Sequence, residues 1–103
     1  MHFQVIDGGV TAATGFQAAD ATAGIKKNGQ PDMAMLYSSS PCRAAGTFTT
    51  NVVKAAPVKW DQDLVFHQPY VQAVVCNSGT ANACTGQEGM NACRETAQEA
   101  AEF

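Results

Sequence analysis

The sequence predicts an α/β fold made of short strands and one closing helix. Three observations carry that expectation. Val71-Gln72-Ala73-Val74-Val75-Cys76 is a β-branched apolar run of strand length. Met33 to Tyr37 is a second compact apolar run, bounded by Pro31-Asp32 before it and Ser38-Ser39-Ser40-Pro41 after it. From Gln87 to Phe103, Met90, Cys93, Ala97, Ala100 and Ala101 recur at three- and four-residue steps, which gives one apolar face of a helix.

Taken in order, Phe3 to Ile6 reads as a short strand broken by Gly8-Gly9. Val10 to Gly24 alternates small and apolar residues, as a loop or an irregular strand would. Asn28-Gly29 with Pro31 is a strong turn signal before the run at 33–37. Ala44 to Thr50 is β-prone through its threonines and Phe48, and is expected to lie antiparallel to 33–37. Ala55 to Val65 is ambiguous, because Pro57 argues against an uninterrupted helix interior. Glu88, Glu95, Glu99 and Glu102 fill the polar side of the last helix. That helical pattern is still periodic at Phe103, so the residues are expected to form part of a larger chain.

The 103 residues suffice for one small domain with no internal boundary. Hydrophobic residues make up 46%, much of it alanine, which buries little area per residue. Charged residues are 15%, against roughly 25% in ordinary soluble domains. A surface so poor in charge is expected to be covered in part by more chain or a partner. Net charge is −3, and Lys26-Lys27 is the one basic pair, so the electrostatic footprint of a nucleic-acid binder is missing. No apolar run reaches the ~18 residues of a membrane span, and the first residues do not read as a signal peptide. Cys42, Cys76, Cys84 and Cys93 form no zinc spacing with His2 and His67, and reduced thiols in the cytoplasm are the expectation. Asp61, Asp63 and His67 lie close enough in sequence to hold a metal, but such a set more often decorates a helix end, and no metal is expected.

The chemistry concentrates in Asn77-Ser78-Gly79-Thr80-Ala81-Asn82-Ala83-Cys84-Thr85-Gly86. This small-residue stretch joins a strand to a helix start, where backbone N–H groups lack intrahelical partners and the dipole adds partial positive charge. An anion, or an oxygen becoming negative in a reaction, could approach that backbone closely. Thr85 and Gly86 are the leading pair: a Gly86 N–H with a Thr85 hydroxyl or N–H could supply two oxyanion donors. From spacing alone, Thr85 as a plain N-cap and Gly86 as a turn residue explain the same pattern. Two rival readings accompany this one. The loop could serve a non-catalytic carboxylate-binding module, or Cys84 could act as a thiol nucleophile at the helix start. Thr11, Thr49, Thr50 and Lys54 are read as ordinary strand, turn and surface residues.

Three motifs in order resemble one known family. Gly8-Gly9-Val10-Thr11-Ala12, Gly15-Phe16 and Ala23-Gly24-Ile25-Lys26 are similar to the opening of the ornithine acetyltransferases. These are bifunctional glutamate and amino-acid N-acetyltransferases of arginine biosynthesis. Phe48-Thr49-Thr50-Asn51-Val52-Val53-Lys54-Ala55-Ala56-Pro57-Val58 resembles the family's central signature, and 77–86 its third. The chain departs from the pattern at Ala13-Thr14, where Pro-Lys is common, and at Ala19-Asp20, where Ala-Gly is common. Both departures are expected in the N-terminal loop region.

The resemblance implies part of an α/β sandwich of the self-cleaving N-terminal-threonine type, incomplete in this segment. It implies a precursor that cleaves before a threonine, giving an α-chain and a β-chain whose new N-terminal threonine is the nucleophile. That threonine takes acetyl from N-acetylornithine and passes it to glutamate. Thr85 and Gly86 then correspond to the family's oxyanion hole. The implied partners are the remainder of the α-chain and the β-chain in a cytoplasmic hetero-oligomer. No bound cofactor is implied, and acetyl-CoA stands as an open alternative donor. The nucleophilic threonine and the main substrate-binding residues are expected downstream, so the segment should be inactive alone.

Overall fold

A computed structural model describes residues 2–82 and 86–102. A short 3-10 turn, Gly9–Ala12, leads into strand β1, Phe16–Ala21, and then strand β2, Met33–Cys42. Helix α1, Ala56–His67, strand β3, Val71–Asn77, and helix α2, Gly86–Glu102, complete the order. The three strands form one antiparallel sheet in the order β1-β2-β3.

The central strand is β2. Phe16 faces Ser38 and Ala21 faces Met33 on one side; on the other, Met33 faces Asn77 and Tyr37 faces Ala73. β1 reads Phe-Gln-Ala-Ala-Asp-Ala, a weak strand former by composition, and is held by its ladder to β2. It includes Ala19 and Asp20, so that departure from the family pattern lies in a strand, with Asp20 opposite Ala34, and not in a loop. Beyond Tyr37 the register to β3 shifts, and Cys42 comes to face Val71. Pro41 accounts for the irregularity, since it has no N–H for the ladder and a central strand tolerates it only at a bulge. Ser38, 6% exposed, holds the bulge closed. Its hydroxyl donates to the Ser40 carbonyl at 2.7 Å and accepts from the Ser40 N–H at 3.2 Å and the Cys42 thiol at 3.1 Å.

Three expectations are corrected here. Phe3 to Ile6 forms no strand, and Phe3 and Val5 are exposed. The segment 44–50 is not a strand neighbour of 33–37, because both sides of β2 are already taken by β1 and β3. That segment instead runs toward α1, where the Phe48 ring meets Phe66 edge-on, with centroids 5.6 Å apart. Residues 56–65 belong to a continuous helix with Ala55 as its extended N-cap, because Pro57 falls in the first turn of α1, where its missing N–H would have had no partner. The strand at 71–76 and the closing helix are found as expected. On α2, Met90, Cys93, Ala97 and Ala100 are half-buried and Gly89 is buried, while Ala101 is exposed.

α1 packs against α2, and among the described residues Ala56 is the one buried apolar side chain. The chain exposes 8212 Å² and has a radius of gyration of 15.3 Å. Size scaling gives about 5,500 Å² for a folded monomer of 10.8 kDa and about 13 Å for 100 residues. The fold therefore leaves a wide share of its surface open, in keeping with its low charge. Among the described residues no helix is long and apolar enough to cross a membrane.

Candidate functional site

The stretch that carries the chemistry leaves the sheet at Asn77, the last residue of β3, and enters α2 at Gly86. Its first half is a turn tied to the sheet. The Asn77 side-chain amide donates to the Thr80 carbonyl at 3.3 Å, and the Ser78 N–H donates to the Asp32 carbonyl at 2.9 Å. Gly79 takes φ +99°, a region that L side chains rarely adopt. A Cβ there would also lie 2.9 Å from Lys26 Cγ and 3.1 Å from Ile25 Cγ2. The loop is thus pressed under the 25–26 segment, and glycine is required by both conformation and space.

Asn82 anchors the end of the loop's described part, 77–82. Its backbone carbonyl accepts from the Ala56 N–H at 3.2 Å, which fixes the loop to the start of α1. Its side-chain amide donates to the Gly89 carbonyl at 2.9 Å and to Cys93 Sγ at 3.4 Å, both on α2. One asparagine therefore joins the loop to both helices. Asn82→Ala should lower stability by about 1–3 kcal/mol, the usual effect of leaving part-buried polar groups without partners. The denaturation midpoint checks this, and an unchanged midpoint would show that the clamp is not needed.

Thr85 and Cys84, the candidate oxyanion donor and the candidate thiol, lie outside the described residues. Gly86 is described. It opens α2 with φ +61°, is exposed, and has no heavy atom within 4 Å of a Cβ built on it. Space does not demand glycine there; the left-handed backbone does. Glu88 is an acidic residue in the same first turn.

The other sequence candidates sit elsewhere. Asp63 and His67 form an exposed i,i+4 pair on α1, with Nδ1 and Oδ1 3.0 Å apart. Among the described residues no three His, Cys, Asp or Glu side chains converge to hold a metal. Loss of water raises the Asp61 carboxyl above its ordinary value. Burial, and then the Asp61 charge, push the Cys93 thiol up, against the hydrogen bond from Asn82. Cys93 is therefore held as a thiol at neutral pH, the opposite of an activated nucleophile.

Two residues at this site were missed from the sequence. Asn82 was read as one letter of a small-residue motif; an asparagine just before a helix start was the signal available. Asp32 was read only as part of a turn. Its side chain is 2% exposed, sealed by the loop that precedes it. The carboxylate accepts from the N–H groups of Ala23 at 2.6 Å, Ile25 at 2.7 Å and Lys26 at 3.1 Å. The Ala23 bond chiefly, with those from Lys26 and Ile25, holds this carboxyl below its ordinary value, against the opposing effect of burial. A depressed folded-state value means that the carboxylate contributes stability above about pH 3.9, the unfolded value, and loses it as pH falls through the folded value. Asp32→Asn should therefore flatten the acid limb of the stability profile. A variant with the parent's acid limb would contradict that role.

The strand, tied loop and open helix start can now be set beside known proteins. The ArgJ family model matches residues 17–103. The chain belongs to the ArgJ family. It is 51% identical over 96 residues to the arginine biosynthesis bifunctional protein ArgJ of Gloeobacter violaceus, covering 93% of this chain and 24% of that protein. The crystal structure of ornithine acetyltransferase complexed with ornithine, from Mycobacterium tuberculosis, superposes with a TM-score of 0.74 at 49% identity. That match covers 80% of this chain and 42% of the other. The arginine biosynthesis bifunctional protein ArgJ of Bacillus halodurans gives a TM-score of 0.75 at 38% identity, over 82% of this chain and 44% of that one. The α/β fold seen here is thus that of the corresponding part of ArgJ-family structures. The chain spans about a quarter of the length of the curated relative it matches.

Proposed function

We propose that residues 1–103 are the N-terminal segment of the α-chain of an arginine-biosynthesis acetyltransferase, and that they supply the oxyanion-hole part of its active site. The observation that carries this reading is Gly86: a left-handed, exposed glycine opening α2 directly after a loop tied to β3, in a chain of the ArgJ family. The open surface supports a segment completed by more protein, as in an α/β sandwich closed by the rest of the α-chain and a β-chain.

In this reading a threonine released by self-cleavage, outside these residues, attacks the acetyl carbon of N-acetylornithine. The carbonyl oxygen becomes an oxyanion that the Gly86 N–H and Thr85 stabilise. Collapse of the adduct breaks the C–N bond, and the ornithine amine leaves with a proton. The acetyl ester on threonine is then attacked by the amine of glutamate, through a second oxyanion in the same hole. Acetyl-CoA would enter at the first step as an alternative donor. No bound cofactor is required in this reading, and the location it implies is the cytoplasm.

Mass spectrometry of the protein assembled with its downstream part, after exposure to N-acetylornithine, tests the covalent step. The expected result is acetyl on a downstream threonine. Acetyl on Cys84, or no covalent acetyl in an assembled protein, would overturn it.

A further inference from the structure

We propose that Asp32 is a positioning residue for the oxyanion loop, acting through the loop at 23–26 on Gly79. The proposal rests on the acetyl-transfer reading above for its catalytic consequence, and on the described geometry alone for its physical link.

Asp32 is placed where three pieces of chain meet. Its N–H donates to the Ala21 carbonyl at the end of β1 at 3.1 Å, and its carbonyl accepts from Ser78 just after β3 at 2.9 Å. Its carboxylate gathers the N–H groups of Ala23, Ile25 and Lys26, all within 3.1 Å. A carboxylate with three backbone donors fixes the loop that supplies them. That loop is the one whose Ile25 and Lys26 side chains crowd the α-carbon of Gly79. Asp32 therefore holds the 78–82 stretch twice, once through the Ser78 hydrogen bond and once by pressing the 25–26 segment onto Gly79. At its far end that stretch is fixed to α1 and α2 by Asn82. The described stretch 78–82 is thus held at both of its ends. Asp32 lies just before β2, outside the strands. The side chain's three bonds serve the loop alone.

A placed oxyanion donor is worth its full effect only when it stands about 3 Å from the developing charge, and displacement of about 1 Å can lower a rate about a hundredfold. Asp32→Asn keeps the size but turns an amide toward N–H donors that need an acceptor. In the assembled enzyme this variant should lower kcat by about 10- to 100-fold per active site, counted by burst amplitude, with KM for N-acetylornithine little changed. In a Gly86→Ala background the same substitution should cost much less, because its effect runs through the donor already displaced. A purely structural role predicts additive effects, or a loss that vanishes once active sites are counted. Should Asp32→Asn fail to assemble, the double variant Ile25→Ala with Lys26→Ala removes the side-chain contacts with Gly79 and leaves the carboxylate in place. It should lower kcat in the same way; an unchanged kcat, or a change confined to KM, overturns the proposal.

Amide hydrogen exchange separates this proposal from the function it rests on. Exchange over residues 78–82 should rise at least tenfold in Asp32→Asn, whether or not the enzyme transfers acetyl. Unchanged protection there overturns the positioning role even in an active enzyme. An assembled parent protein with no acetyl transfer, but with the expected rise in exchange, removes the catalytic reading and leaves the loop coupling intact.

Discussion

Thr85→Ala and Gly86→Ala should each slow acetylation of the nucleophilic threonine by about 10²–10³ in the assembled enzyme, the usual loss for one oxyanion donor. The two substitutions differ in how they act. Thr85→Ala removes a hydroxyl. Gly86→Ala keeps the N–H but demands that an L-residue hold φ +61°. No heavy atom crowds a Cβ at Gly86, so the steric effect on folding is small. The left-handed conformation alone costs about 1–2 kcal/mol, or is relieved by a backbone rotation that turns the N–H away. Either way the rate falls far more than the stability. Stopped-flow or quench-flow acetylation at saturating N-acetylornithine reads the effect directly. A normal rate in both variants would remove the oxyanion role from this loop and leave helix capping as its function.

Gly79→Ala should show the reverse pattern, with the larger loss in stability. Its φ of +99° carries a conformational cost of about 1–3 kcal/mol for a residue with a Cβ. The new methyl would meet Lys26 Cγ and Ile25 Cγ2 at 2.9 and 3.1 Å, closer than Cβ contacts normally come, and overpacking of this kind costs about 1–3 kcal/mol more. Part of that second cost is relieved if the flexible Lys26 side chain swings away, while Ile25 and the backbone remain. A fall of about 2 kcal/mol or more is expected from the denaturant midpoint at constant slope. A midpoint equal to the parent's would show that the 25–26 segment does not press on the loop. The two glycines of one motif are thereby assigned different duties, one by crowding and one by openness.

How far the sequence foretold this arrangement depended on the range of the interactions involved. The run at 71–76 and the apolar steps of the last helix were legible because each is local: β-branched residues in succession, and a period close to that of a helix. Strand pairing was not legible. Phe16–Ala21 has little β propensity of its own and exists through its register with β2, whereas 44–50 has the propensity but finds both sides of β2 already paired. The segment 55–65 is ambiguous in the sequence because a proline at the first turn and one in mid-helix look the same until the helix start is known. At the site, the strand-loop-helix order marks the stretch ending at Gly86 without tertiary knowledge, while the choice of Thr85 and Gly86 as oxyanion donors rests on the family resemblance. Asp32 did not stand out, because its acceptors and donors span residues 21 to 78 and meet only when the sheet forms. Asn82 was hidden for the same reason: its partners Ala56, Gly89 and Cys93 lie on two helices.

Transfer of acetyl from N-acetylornithine to glutamate, measured for residues 1–103 alone and for the same residues co-expressed with the downstream part of the gene, tests the central claim most directly. The account predicts no transfer by the segment alone, and transfer by the assembled protein that falls by about 10²–10³ in Gly86→Ala. Transfer by the 103 residues alone would place a nucleophile within them, and an assembled but inactive protein would leave the loop as a binding element; either result contradicts the account.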